Sequence, residues 1–332
     1  MSTALLTLLV TAFVGVLALL AQLARKSRGA EVTLIVVLLA LSLLVALLGT
    51  LIGLGLLLRA AAGGPERFIF VAAGGAALIV GVVGAGLCVP PLRAVTGARL
   101  ANTFWADPPT FLALWLFVVV LGNNAVSLLL FLGEPDVSRL FPDDRLSPAA
   151  VMTNQLPFLV VALLGVGAGI RRNLRETLDR LGYGRISFRH IGIAVLFAGA
   201  ALALSVAADA LFASLQPGLY REVGEISDNL FNPRGLGPVS AVLFALLLGL
   251  GAGLGEETLF RGAVQPAFGI AATSILFASM HVQYGPSLLL GYVFLLSIGL
   301  GLLRKHINTT VSFLAHALYN SLGIILTYFF GM

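Results

Sequence analysis

Residues 239–262 have the sequence VSAVLFALLLGLGAGLGEETLFRG, an uncharged apolar run that ends in two adjacent carboxylates and an arginine. The run Val239–Leu254 is nearly long enough to cross a bilayer by itself, and the predicted helix continues to Gln265. An ionised side chain costs roughly 2.5–3.5 kcal/mol or more at the centre of a membrane helix, so such groups usually mark functional sites. This stretch predicts a membrane-spanning helix that carries a functional site at Glu256, Glu257 and Arg261.

The composition places the whole chain in the same class. It has 332 residues, of which 59% are hydrophobic and 11% charged, whereas soluble domains have about 45–50% apolar and about 25% charged residues. The single cysteine, Cys88, excludes an internal disulfide and a thiolate metal cluster. The net charge of +5 comes from basic residues in the loops between apolar runs, so we expect a lipid bilayer and no nucleic acid as partner.

The apolar runs predict an all-α fold, a polytopic transmembrane bundle of about ten helices. The predicted spans are Ala4–Leu23, Val32–Leu58, Phe68–Val89, Phe111–Leu132, Val151–Ile170, Ile191–Leu211, Val239–Gln265, Phe268–Tyr284, Ser287–Leu303 and Val311–Phe330.

The distribution of basic residues predicts the orientation of these helices. With both termini outside, fourteen of the 20 Lys and Arg residues fall in inside loops, as the positive-inside rule requires. The glycine- and leucine-rich composition favours a prokaryotic plasma membrane. In this orientation the charged end of the seventh helix, near Arg261, faces the cytoplasm.

Two regions are expected from this organisation. Residues 1–190 form N-terminal transmembrane helices of unassigned role and end in a basic inner loop, 171–190, while residues 191–332 form the core that carries the polar motifs. The leucines of that loop, Leu174, Leu178 and Leu181, suit either an amphipathic helix on an anionic membrane surface or a loop that only sets topology. The polar segment 216–237 predicts a short helix over Tyr220–Leu230.

The charged stretch predicts different roles for its two carboxylates. Successive helical residues project about 100° apart, so Glu256 and Glu257 point in different directions. Glu257 and Arg261 are spaced i, i+4 and can form an ion pair on one face. Glu256 is then left as the reactive carboxylate and candidate general base.

Two later helices bring further polar groups to a similar depth. Phe277 precedes His281 by four residues, and His316 precedes Asn320 by four residues, which puts each pair on one helix face. At about 1.5 Å per residue, Glu256, His281, His316 and Asn320 lie roughly 12–20 Å from the inner helix ends. We therefore expect one cavity in the inner half of the membrane, open to the cytoplasm.

These three motifs resemble those of the CPBP intramembrane endopeptidases, the CAAX protease and bacteriocin-processing (Abi) family that includes the Ras-converting CAAX prenyl protease. The matching residues are Glu256, Glu257 and Arg261 in the first motif, Phe277 and His281 in the second, and His316 and Asn320 in the third. The resemblance covers residues 241–321 and implies hydrolysis of a membrane-anchored or hydrophobic peptide.

The resemblance also implies roles for individual residues. Glu256 and His281 would activate a water molecule, and His316 with Asn320 would stabilise the oxyanion of the tetrahedral intermediate. Glu257, Arg261 and Phe277 would support the site or bind substrate. The family has also been described as metalloproteases, and Glu256, His281 and His316 form a possible Zn²⁺ ligand set. Asn is a poor zinc ligand and the sequence has no His-Glu-x-x-His motif, so a glutamate-activated water without a cofactor is favoured and zinc stays the alternative.

Two other classes of function suit intramembrane polar residues. A proton-coupled transporter uses Glu, His and Arg in proton relays, but it should show inverted repeats, which this sequence lacks. A non-catalytic scaffold or bacteriocin-immunity protein could use the family fold for binding alone, although the intact motif set favours an enzyme.

Overall fold

The computed structural model describes residues 3–59, 66–89, 107–133 and 146–331, and all of its regular elements are helical. No β-strand occurs in these ranges, which confirms the predicted all-α class. The α-helices are α1 (Thr3–Ala24), α2 (Arg28–Arg59), α3 (Glu66–Cys88), α4 (Pro108–Gly133), α5 (Pro148–Thr153), α6 (Leu156–Val166), α7 (Leu174–Leu181), α8 (Phe188–Leu215), α9 (Pro217–Phe231), α10 (Pro238–Glu256), α11 (Gln265–Ser279), α12 (Leu288–His306) and α13 (Thr309–Phe330). A π-helical segment, Glu257–Val264, joins α10 to α11, and a 3₁₀ turn, Val282–Tyr284, follows α11.

Nine helical stretches in the described ranges are long and apolar enough to cross a membrane, where about ten were expected. The difference has one source. The predicted seventh and eighth spans are counted once, as the stretch Pro238–Ser279, because no loop separates α10, the π-helical segment and α11. Gly269 interrupts this stretch with φ 80°, a left-handed backbone conformation that glycine adopts without strain.

The chain divides into two compact units. The first comprises Met1–Val16, Ser138–Ala278 and Ser287–Met332, and the second comprises Leu17–Val137 and Ser279–Pro286. The two regions predicted from the sequence, residues 1–190 and 191–332, were divided by function, so these compact units do not test that prediction.

In the second unit, small residues allow close helix packing. A Cβ added to Gly53 of α2 would lie 2.7 Å from the Cα of Gly74 in α3. The Trp115 indole N–H of α4 donates to the Ser42 hydroxyl of α2 at 2.9 Å, in the interior. Close backbone approach and buried polar contacts of this kind stabilise helix pairs in lipid, where apolar burial alone provides little driving force.

In the first unit, α10 uses alternate glycines to approach neighbours on two sides. A Cβ on Gly249 would lie 2.1 Å from the hydroxyl of Ser321 and 2.5 Å from the carbonyl oxygen of Ala317, both in α13. On the other side, a Cβ on Gly255 would lie 2.3 Å from the Gln155 side-chain oxygen, at the junction of α5 and α6. The end of α10, where the charged motif begins, is therefore held between two elements.

The basic segment 171–190 contains the short helix α7. Asn173 and Glu176 form a reciprocal capping box at its start, which satisfies two free N–H groups. Leu174 is 76% exposed whereas Leu181 is fully buried, so α7 presents one leucine to the outside and packs another inside. The Thr309 hydroxyl, at the start of α13, donates to the Leu181 carbonyl. The predicted helix in the segment 216–237 is confirmed as α9.

We expect Gly249→Ala to lower the melting temperature of the detergent-solubilised protein. The added methyl group collides with the backbone of α13, and overpacking costs about 1–3 kcal/mol, more than the gain of about 1 kcal/mol in helix propensity. The matched control is Gly199→Ala in α8, where no atom lies within 4 Å of an added Cβ. A Gly249→Ala protein as stable as the control would contradict the observed packing of α10 on α13.

Candidate active site

The charged motif lies in the π-helical segment that continues α10. Segments of π-helix are rare and occur frequently at functional sites. Glu257, Phe260 and Arg261 are all buried in it. A buried Glu and a buried Arg need partners, because unpaired charges are costly away from water.

The predicted ion pair between Glu257 and Arg261 is confirmed. The Arg261 Nε atom lies 3.2 Å from Glu257 Oε2, and both side chains are fully buried. The Arg261 Nη2 group also donates to the carbonyl oxygen of Ser297 at 3.2 Å and to its hydroxyl at 3.1 Å. The guanidinium carbon is 4.5 Å from the ring centre of Phe277, within cation–π distance. Arg261 is thus fixed between the π-helical segment, α11 and α12.

The Glu257 carboxylate has two further partners, both in α13. Its Oε1 atom lies 2.8 Å from His316 Nδ1, and its Oε2 atom accepts a hydrogen bond from the Ser312 hydroxyl. Sequence analysis did not identify Ser312. Its position four residues before His316 places both on one face of α13, and that spacing is the signal that could have found it.

The His316 ring lies between the two adjacent carboxylates of the motif. While Nδ1 contacts Glu257, Nε2 lies 4.0 Å from Glu256 Oε2. An ionised carboxylate is only an acceptor, so the hydrogen of this contact belongs to Nδ1. Nε2 is then an acceptor in the neutral ring and a donor in the doubly protonated ring.

Glu256 differs from Glu257 in its surroundings. Its side chain is 15% exposed, against 0% for Glu257. Its Oε2 atom is buried and has no hydrogen-bond partner within the described ranges. The 4.0 Å separation from His316 is too long for a hydrogen bond. The Glu257 carboxylate is therefore fully engaged by protein groups, whereas Glu256 has a buried oxygen that can still accept a hydrogen bond.

Aromatic rings form one wall of this cluster. Phe277 is buried and packs edge-on against Phe260 at 5.0 Å and against His316 at 5.9 Å between ring centres. These contacts limit the rotation of the imidazole and exclude water from the Glu257–Arg261 ion pair, which strengthens it.

The remaining predicted residues lie in different places. Asn320 follows His316 by one turn of α13, is partly exposed, and has no hydrogen bond to any residue that the structure describes. His281 belongs to the second unit, where it precedes the 3₁₀ turn and stacks on Tyr284 with ring centres 6.0 Å apart. Its position relative to Glu256 and His316 stays a prediction.

The basic segment contributes residues beside the motif that sequence analysis did not assign to the site. The Thr258 hydroxyl donates to the carbonyl of Leu254, so the Tyr183 hydroxyl, 2.6 Å from Thr258 Oγ1, is the donor of that contact. Burial is the main cause that raises the pKa of Tyr183. The Thr258 hydrogen bond lowers this pKa by less, and the Glu257 carboxylate raises it by a still smaller amount. The phenol therefore stays neutral at physiological pH and can keep donating.

The described residues do not form an evident metal site. No three His, Cys, Asp or Glu side chains in the described ranges are grouped so that they could hold a metal ion. Glu257 and His316 Nδ1 are already engaged with each other. Zinc on Glu256, His281 and His316 stays an untested expectation.

Residues 238–322 match the family described as "Type II CAAX prenyl endopeptidase Rce1-like". This part of the chain is similar to the CAAX prenyl endopeptidases. The matched segment is about a quarter of the chain and contains all seven residues of the predicted site, from Glu256 to Asn320. No curated protein and no solved structure matches the chain. The nine apolar helical stretches in the described ranges make the chain an integral membrane protein.

We expect Arg261→Met to destabilise the protein by about 3–5 kcal/mol, because the substitution leaves the Glu257 carboxylate buried without its cation. Arg185→Met is the matched control, since Arg185 is exposed and such changes usually stay within about 0.5 kcal/mol. Denaturant titration in detergent measures both variants. Equal stability of the two would show that the ion pair contributes nothing to the fold.

Proposed function

We propose that this protein is an intramembrane endopeptidase that hydrolyses a peptide bond of a membrane-anchored protein or hydrophobic peptide. The observation that carries the proposal is a buried imidazole held by one carboxylate, Glu257, with a second carboxylate, Glu256, 4.0 Å from its other nitrogen. The match of residues 238–322 to a family of endopeptidases supports the reaction class.

Glu256 is the proposed general base. Its Oε2 atom has no hydrogen-bond partner among the described residues, so the carboxylate keeps lone pairs that can accept a proton from an attacking water. The Glu256 side chain as a whole is 15% exposed, so water can reach the carboxylate although Oε2 itself is buried. The family resemblance adds His281 to water activation, as a second group that would orient the nucleophile.

His316 and Asn320 are the proposed oxyanion donors. With Nδ1 directed at Glu257, a doubly protonated His316 donates from Nε2 on the Glu256 side of the ring. In that state two cations, Arg261 and His316, balance the two carboxylates of the cluster. The Asn320 amide, one turn further along α13 and without a described partner, supplies a second donor on the same helix face.

Glu257, Arg261, Ser297 and Ser312 hold the site in place in this proposal. Glu257 holds the His316 ring directly, while Ser312 and Arg261 hold the Glu257 carboxylate and Ser297 holds Arg261. Phe277 packs edge-on against the His316 ring. Preorganised donors need no rearrangement when charge develops in the transition state, which is the main source of such stabilisation. In the proposed orientation the site opens towards the cytoplasm of a prokaryotic cell.

Glu256→Gln should reduce proteolysis at least 100-fold while leaving the folded protein intact, because the amide cannot take up the proton. Mass spectrometry of protein termini is the measurement, on membranes from cells with matched amounts of wild type or variant. Glu225→Gln is the control, since Glu225 is an exposed carboxylate in α9. Termini that disappear only with Glu256→Gln identify the substrate, whereas identical termini in all three strains contradict the proposal and favour transport or scaffolding.

Asn320→Ala should lower kcat about 10²–10³-fold with little change in KM, as expected for the loss of one oxyanion donor. Its melting temperature should stay close to that of wild type, because the partly exposed amide has no described hydrogen bond to lose. The assay uses a peptide that contains the cleavage site identified above. An unchanged kcat would remove Asn320 from the reaction, and a large fall in melting temperature would assign it a structural role.

A further inference from the structure

A cavity of about 440 Å³ lies where α11 begins and α12 ends, away from Glu256 and His316. It is lined by Gln265, Pro266, Gly269, Ile270, Arg304 and Lys305. The last turn of α12 contains Arg304, Lys305 and His306, the charged end of an apolar span. The cavity is therefore at the level where a membrane helix meets the lipid headgroups.

The cavity wall is strongly basic. Neither Arg304 nor Lys305 pairs with an acidic side chain among the described residues. The Arg304 Nε group donates to the Arg261 carbonyl at 3.2 Å and the Arg180 Nη1 group to the adjacent Gly262 carbonyl at 3.4 Å, so a further guanidinium group lies close to Arg304. Cations gathered without a protein carboxylate attract an anion from outside the chain.

Gln265 is a second feature of the cavity that points to a ligand, and it is independent of the basic charge. Its side chain is nine-tenths buried and its amide nitrogen donates to the Gly301 carbonyl at 2.9 Å. Its Oε1 atom is buried without a hydrogen-bond partner within the described ranges. A buried carbonyl oxygen left in this state costs about 1–3 kcal/mol, so it calls for an O–H or N–H donor from a ligand.

The backbone adds to the attraction for an anion. Gly269 breaks the helical stretch at φ 80°, so a new helical limb of ten residues starts at Ile270, on the cavity wall. The first N–H groups of a helix have no carbonyl partner within it, and with the helix dipole they favour a phosphate.

We propose that this cavity binds the headgroup of an anionic phospholipid whose phosphodiester faces Arg304, Lys305 and the start of the α11 limb, while a headgroup hydroxyl donates to Gln265 Oε1. A glycerol headgroup has both features. A soluble glycerol phosphate has the same chemistry, but the location at the end of α12 favours the lipid. This lipid site is separate from the proposed peptidase activity and does not depend on it.

The test measures lipid binding to the full-length protein by native mass spectrometry from detergent. Phosphatidylglycerol should bind at least fivefold more tightly than phosphatidylcholine. It should also bind about fivefold more tightly than phosphatidylmethanol, which has the same charge but no headgroup hydroxyl. Equal binding of phosphatidylglycerol and phosphatidylcholine would overturn the site, and equal binding of phosphatidylglycerol and phosphatidylmethanol would overturn the role of Gln265.

Matched variants separate this cavity from general surface charge. Lys305→Gln should weaken phosphatidylglycerol binding about fivefold, as expected for one interfacial cation, and Lys305→Arg should restore it. Arg189→Gln removes the same charge from an exposed position at the start of α8 and should leave binding unchanged. Equal losses in Lys305→Gln and Arg189→Gln would overturn the assignment to the cavity. Displacement of the lipid by an equal concentration of soluble glycerol phosphate would overturn the lipid as its ligand.

Discussion

The buried carboxylate of Glu257 is the constraint on which the rest of the site depends. It is fully buried, and it is satisfied only because Arg261, Ser312 and His316 reach it from the π-helical segment and from α13. Each of these contacts fixes a register, since a shift of one residue along either helix would leave the charge unpaired. The arrangement also fixes the orientation of the His316 ring, and through it the relation of His316 to Glu256.

Close packing makes this arrangement possible. The glycines of α10 let α13 approach on one side and the α5–α6 junction on the other, so that side chains of moderate length bridge the helices. The switch to π-helix directly after Glu256 changes the direction in which the following residues project, and Glu257, Phe260 and Arg261 become buried together. The basic segment 171–190 also contacts the motif, because the Tyr183 hydroxyl donates to Thr258 Oγ1.

Sequence analysis predicted much of this and missed some of it for identifiable reasons. The apolar runs predicted the spans because helix length in a bilayer is set by its thickness. The spacing of Glu257 and Arg261 predicted their ion pair. Sequence analysis did not predict that Ser312, Ser297 and Tyr183 contact the motif. Serines, threonines and tyrosines are common in membrane helices and loops, so they become informative only when a partner is known. Sequence analysis placed the boundary between the seventh and eighth spans between Gln265 and Phe268, and the helical stretch is interrupted beside it, at Gly269. It did not predict that no loop separates the two spans.

The sequence by itself determined that this is an all-α membrane protein and which residues form the three motifs, because hydrophobic length and charge placement are properties of the chain alone. Only the tertiary structure decided that Glu257 holds His316 while Glu256 keeps a buried oxygen without a hydrogen-bond partner among the described residues. Two neighbouring glutamates have the same chemistry and both lie on the motif. Their difference comes from which side chains other helices bring to each one, and that information exists only once the helices have packed.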